Sequence, residues 1–187
     1  MVLPTLASLA LTFLLVSPFQ WFMVAGAKTF RIPQRSDSGA ALGGTSFLAG
    51  TAVVLWKGLF EGLELTSGTL GAVFSLLSLV LYEWTRRTVT GRRFFIGFGG
   101  KVPDAVCESG PYRYVRHPFY LSYAIAFLGM LVATATPIAA VVFALAITLF
   151  SYMARDDELT LEHSRLGPAY GAYKRRVGLF LLLPRRR

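Results

Sequence analysis

The sequence predicts an all-α fold: a polytopic membrane bundle of about five transmembrane helices with a short helical tail on the cytosolic side. Three observations predict it. Of the 187 residues, 54% are hydrophobic and only 16% are charged, with a mean hydropathy of +0.53, too apolar for an ordinary water-soluble domain. The apolar residues gather into five runs, most of them near the roughly 20 residues that cross a bilayer as a helix. The 19 lysines and arginines, Lys57 excepted, fall on one side of a five-span path, as cytosolic loops demand.

Each element follows in order. The first run, about residues 2–27, carries no charge. Its end, Ala25-Gly26-Ala27, resembles a signal-peptidase site, but the run lacks a basic start and is too long for a signal peptide, so it is read as a helix. The second and third runs cover about residues 42–60 and 69–84. The fourth begins at Pro118 and ends near residue 133; the fifth covers about residues 137–153. Thr134-Ala135-Thr136 leaves room only for a tight link, which predicts an antiparallel hairpin of the last two spans. Asp156, Asp157 and Glu158 either open a new helix, where the dipole favours anions, or continue the fifth span past the membrane surface. Gly167-Pro168 is expected to stop that helix, because Gly suits the position after a helix and Pro cannot continue one. Tyr170, Tyr173 and Val177 then recur at helical spacing, a stripe that reads as packing. The whole chain, 1–187, is one membrane domain, with the N-terminus outside and the tail in the cytosol.

Charge and composition narrow the partners. Nine net positive charges are split into blocks by apolar runs, which favours anionic lipid headgroups or an anionic substrate over nucleic acid. One cysteine and two histidines exclude an intrachain disulfide and make a multi-histidine metal centre a poor reading. Glu61, Glu64 and Lys57 read as a solvated rim. Glu83 is an acid at membrane depth, expensive unless paired, and Arg86 and Arg87 stand one turn away. Gly97-Phe98-Gly99-Gly100 lacks the strand and the remaining residues of a phosphate-binding loop, and reads as a flexible loop. Arg92-Arg93-Phe94-Phe95 reads as an interfacial segment, and Arg185-Arg186-Arg187 as a headgroup tether.

The stretch GPYRYVRHPFY, residues 110–120, holds three tyrosines, two arginines and a histidine immediately before a long apolar run. Pro118 fixes its own φ and suits a first helical turn, while it pushes His117 out of helical geometry. His117 therefore stands at the free N–H groups of the fourth span, an electropositive end that favours an anionic ligand group. Tyr120 lies three residues on and shares its face. Arginine and tyrosine at such a boundary are also ordinary interface anchors, so residue type alone leaves both readings open.

The fuller pattern, Gly110-Pro111-Tyr112 followed by Arg116-His117-Pro118-Phe119-Tyr120, resembles the signature of the isoprenylcysteine carboxyl methyltransferase family and its phospholipid methyltransferase relatives. These are integral membrane enzymes that use S-adenosylmethionine. The resemblance continues through Glu158, Leu161, Leu166-Gly167, Tyr170, Tyr173, Val177 and Pro184, across roughly the last 80 residues. It implies a cofactor site built from residues 104–120 and the tail 154–184. In that site Tyr112, His117, Pro118 and Tyr120 line the pocket, Asp104, Ala105, Val106 and Cys107 add contacts partly through backbone, and Glu158 is the acidic ligand. Arg155, with Arg116, is the candidate to hold a substrate carboxylate. The family's adjacent acids align either with Asp157-Glu158 or with Glu158-Leu159; Glu158 is kept in both. Ser122 stands where a glycine is common.

The implied chemistry suits these residue types. Aromatic faces stabilise a sulfonium by roughly 0.5–2 kcal/mol, donors at a helix start suit a carboxylate, and an acid suits an amine or ribose. A carboxylate acceptor needs no general base, so positioning and water exclusion dominate, an effect worth about 7–11 kcal/mol in favourable cases. The expected function is S-adenosylmethionine-dependent methyl transfer to a lipid-like or isoprenoid acceptor, a carboxylate at the cytosolic face. Three alternatives stay open: phospholipid N-methylation, an NADPH-dependent sterol-reductase-like enzyme, and a non-enzymatic membrane scaffold. The reductases share an Arg-His-Pro-Asn-Tyr type sequence, but here Phe119 replaces the Asn and no acid follows Tyr120.

Overall fold

In the computed structural model, which describes residues 5–29, 38–90 and 102–180, the described residues fold into helices with no strand ladder. Six α-helices run in chain order: α1 Leu6–Thr29, α2 Ser38–Trp56, α3 Leu65–Val89, α4 Pro118–Thr134, α5 Pro137–Glu162 and α6 Gly167–Lys174. A π-turn, Lys57–Glu61, extends α2, and a 3-10 turn, Gly110–Arg113, precedes α4. By length and composition the stretch Leu6–Gly26, α3 and α5 are each able to cross a membrane; α4 is apolar but shorter. The segments 91–101 and 181–187, with the Arg92–Phe95 and Gly97–Gly100 stretches, the Arg185–Arg187 tether and Pro184, lie outside the described residues.

Local chemistry sets each boundary. Pro18 sits inside α1 and has no N–H for the Leu14 carbonyl; the Ser17 hydroxyl donates to that carbonyl instead, at 2.9 Å, the kind of local substitute that lets a helix carry proline in an apolar medium. The turn after α2 is tied to α1 by Leu63 N–H donating to Ser8 Oγ at 2.8 Å. Glu64 caps α3 by accepting from Ser67 N–H at 3.2 Å, while Lys57 pairs with Glu61 at 2.7 Å. Arg86 and Arg87 lie in the last turn of α3, where the dipole favours cations, and hold Glu83 at 2.6 and 2.9 Å. Between α4 and α5, Ala135 takes φ +48° and Thr136 caps α5 by accepting from Ala139 N–H.

The helices alternate in direction. Phe19 and Phe22 of α1 meet Phe47 of α2, while Gln20 bonds Thr51 further along. The most extensive contact is between α3 and α4. It is tight because a Cβ at Gly71 would lie 2.6 Å from Ala133 Cβ, and one at Gly129 would lie 2.8 Å from Gly71 O. Phe19, Phe22, Phe47, Tyr82, Tyr123, Phe127 and Phe150 close the centre with ring contacts among the five helices α1 to α5. Leucines and valines such as Leu76, Val80, Leu145 and Val141 stay exposed on the outside, which suits a bilayer surround.

Two expectations about the tail resolve. The acids at 156–158 continue α5 rather than opening a helix: α5 runs on to Glu162. Its 26 residues span about 39 Å, longer than the roughly 30 Å hydrocarbon layer, so its last turns project beyond the apolar zone. Gly167-Pro168 does not stop this helix. It opens α6, with proline in the first turn, where a missing N–H costs nothing; α5 has already ended at His163.

Candidate functional site

Antiparallel packing brings the start of α4 beside the end of α5. Pro118 occupies the first turn of α4, and His117 precedes it at φ −125°, ψ 65°. From there Tyr120 reaches across the hairpin, and its hydroxyl donates to Asp157 Oδ2 at 2.9 Å. The Tyr120 ring stacks on His117 at 5.6 Å and on Phe150 at 6.1 Å. These residues are buried, Tyr120 and His117 alike.

Glu158, one residue on, is the centre of a charge knot. Arg116 Nε donates to its Oε1 at 2.7 Å, His117 Nε2 lies 3.3 Å from the same oxygen, and Lys174 Nζ lies 3.1 Å from Oε2. Both oxygens are therefore engaged by the protein itself. Arg116 also donates to the Val177 and Lys174 carbonyls at 2.6 and 3.3 Å, so its guanidinium closes the end of α6. An isolated parallel bridge of Val115 with Gly178 fastens the segment after α6 alongside: Arg116 N–H donates to Gly178 O and His117 N–H to Leu179 O. Phe180 then meets the His117 ring at 6.4 Å.

The glycine that starts the signature has a backbone reason. Gly110 sits at φ +55°, and a Cβ there would strike Thr88. The following turn buries Tyr112, whose carbonyl accepts from the Tyr173 hydroxyl at 2.7 Å. Tyr170, Tyr173 and Val177 pack with Val106 and Leu161, the packing role their spacing suggests.

Burial sets the protonation of the groups that lie off the spans. Burial pushes the His117 imidazole below its ordinary value, against the pull of Glu158, and Arg116 and Lys174 add to the lowering. Burial raises the phenols of Tyr112, Tyr170 and Tyr173, so they remain neutral donors. Lys174 is raised by its bonds to Glu162 and Glu158.

The sequence-predicted residues divide into two groups. Tyr112, Arg116, His117, Pro118, Tyr120 and Glu158 come together, and Cys107 and Val106 lie in the adjoining core. Asp104 and Ala105 are exposed, Asp104 loosely facing Arg165 at 3.7 Å. Arg155 is exposed and lies on the outward face of α5 shared with Leu145, Tyr152 and Leu159. Asp157 enters the sequence pattern as one of the acids at 156–158 and as an alternative partner of Glu158 in the acidic pair, not as a site residue in its own right. Its carboxylate is held by the Tyr120 hydroxyl, while its neighbour's is surrounded by cations. Lys174 carried no signal beyond its charge, and Tyr173 entered only through its spacing and the resemblance, without an assigned role.

No curated protein and no solved structure matches this chain at a significant level. Residues 66–167, more than half of the sequence and spanning α3 to the start of α6, match the family model described as phospholipid methyltransferase. A helical membrane bundle whose matched segment carries this clustered signature thus belongs to the phospholipid methyltransferase family, a family of membrane methyltransferases.

Proposed function

We propose that the chain is an S-adenosylmethionine-dependent methyltransferase acting on a lipid-like acceptor at the cytosolic face, with five passes, the N-terminus outside and the tail in the cytosol. The single observation that carries this reading is the convergence of His117 and Tyr120 with Asp157 across the α4–α5 hairpin. The donor set fits the cofactor's chemistry. Burial raises the Asp157 carboxyl to about 7 against the pull of the Tyr120 hydroxyl, so it accepts from a ribose hydroxyl and ionises fully beside an ammonium; the His117 and Tyr120 rings add an aromatic wall for the sulfonium, and the N–H groups opening α4 suit its carboxylate. When bound, the cofactor supplies an electrophilic methyl on a cationic sulfur.

The protein's own residues orient and enclose. Neutral His117 presents an aromatic face without adding a repelling charge. Tyr120 fixes Asp157, and the Glu158 knot holds the tail over the site. For a carboxylate acceptor, one C–S bond breaks as one C–O bond forms. The sulfonium charge and the carboxylate charge cancel, the sulfur leaves as the neutral thioether of S-adenosylhomocysteine, and no proton moves. The wall of Phe150, Tyr123 and Phe47 behind Tyr120 suits an acceptor that brings an apolar chain from the bilayer. Asp157 also favours a second reading, an amine acceptor, because a carboxylate stabilises an ammonium headgroup and receives its proton.

The test is incubation of the purified protein in lipid nanodiscs with methyl-labelled S-adenosylmethionine, offering an isoprenoid thioether carboxylate or phosphatidylethanolamine vesicles. A base-labile labelled product is expected from the carboxylate. A base-stable labelled lipid selects the amine reading, and no label in either arm removes methyl transfer.

A further inference from the structure

The inward face of α3 carries a line of hydroxyls inside an apolar bundle: Ser75, Ser78, Tyr82 and Thr85, each at most 1% exposed. Ser78 and Thr85 are satisfied within their own helix, donating to Ser75 O and Leu81 O. Ser75 Oγ and the Tyr82 hydroxyl have no hydrogen-bond partner among the described residues. A buried hydroxyl left without a partner is destabilising, and phenylalanine at 82 would keep the same ring contacts without that cost. The ring itself is well fixed, at 4.7 Å from Phe22 of α1, 5.2 Å from Phe119 of α4 and 6.0 Å from Tyr123 of α4.

The place of Tyr82 gives this hydroxyl a use. Phe119 and Tyr123 flank Tyr120 in the opening turns of α4, and Tyr123 lies 6.1 Å from Tyr120 by ring centroids. Tyr82 therefore stands one ring further into the bundle than the candidate cofactor site. Neither arginine expected to hold an acceptor carboxylate faces this place: Arg116 is engaged by Glu158, Val177 and Lys174, and Arg155 is exposed on the outer face of α5.

We propose that Tyr82 is the acceptor-binding donor: its phenol hydrogen-bonds a carboxylate or carbonyl oxygen of a lipid-like acceptor and holds it inboard of Tyr120. This rests on the methyltransferase reading above and goes further by naming Tyr82 on α3 as the acceptor's subsite. A neutral phenol supplies a donor to such an oxygen without placing a cation at membrane depth, where one is expensive.

The experiment compares the full-length protein with Tyr82→Phe and Ser75→Ala in nanodiscs. Three quantities are read: the KM for an isoprenoid thioether carboxylate, the dissociation constant for S-adenosylmethionine, and the melting temperature without ligands. Tyr82→Phe is expected to raise the acceptor KM about tenfold, the size of one lost hydrogen bond in a closed site. Its cofactor affinity is expected to stay unchanged and its melting temperature to stay level or rise. Ser75→Ala is expected to leave the KM alone. An unchanged KM in an active Tyr82→Phe protein overturns the subsite and leaves methyl transfer standing, as does a matching loss of cofactor affinity. A wild-type protein that methylates phosphatidylethanolamine but not this acid overturns the subsite alone, and one that methylates neither overturns both.

Discussion

At the scale of single residues, neighbours decide the chemistry more than residue type does. Asp157 and Glu158 are adjacent acids, yet one meets a single phenol and the other meets three cationic side chains or imidazole. Sequence alone favoured Glu158, because it survives either alignment of the acidic pair. Which of the two is left to face a ligand depends on Arg116 and Lys174, and Lys174 lies sixteen positions further on in α6, beyond the reach of local pattern. His117 was legible, since Pro118 dictates its place at the helix start. Its burial depended on the segment after α6 and was not. That burial has a pH consequence. The unfolded chain takes up a proton on His117 near its ordinary value of 6.5, while the folded chain resists doing so. The folded state therefore binds fewer protons, and the stability gained from a neutral buried imidazole is complete above pH 6.5 and is lost as the pH falls below it. The melting temperature of the wild-type protein is expected to drop as the pH falls below 6.5, and the drop is expected to shrink in His117→Asn. An equal drop in both proteins would assign the acid sensitivity elsewhere.

At the scale of elements, the apolar runs gave away the helices and misjudged their ends. The fifth run ended at residue 153 on hydropathy, yet α5 continues to Glu162, where Asp157 and Glu158 find partners at the bundle's end. Gly167-Pro168 carries a start signal and a stop signal at once, and only the earlier end of α5 at His163 selects the start. The α3–α4 contact was invisible to hydropathy. It depends on Gly71 and Gly129, whose absent side chains let the two backbones touch, the small-residue packing on which helices in lipid rely. Gly129→Leu is expected to destabilise the protein by about 1–3 kcal/mol, the usual cost of overpacking a close contact. Thermal unfolding in detergent reads it, with Gly44→Leu as a control, because a Cβ at Gly44 meets nothing within 4 Å. Equal losses in the two variants would place the tight contact elsewhere.

At the scale of the whole molecule, the fold makes a site by joining segments roughly forty residues apart. The tight link at Ala135 folds α5 back on α4, the overhang of α5 lifts its acids beyond the apolar zone, and α6 returns the segment 177–180 to the signature stretch. The one-sided distribution of arginines anticipates that this end is the charged one, and the contacts agree: Glu83, Glu158, Arg116 and Lys174 all gather there. The central claim is that this end holds S-adenosylmethionine through Asp157, fixed by Tyr120. The most direct measurement is equilibrium binding of S-adenosylmethionine to the purified protein in nanodiscs, with Asp157→Asn beside Asp156→Asn, the same substitution one residue away. Saturable binding that is competed by S-adenosylhomocysteine is predicted, weakened about tenfold or more in Asp157→Asn, the loss of one charge-assisted contact, and unchanged in Asp156→Asn. Absence of saturable binding, or equal affinity in all three proteins, would contradict the account.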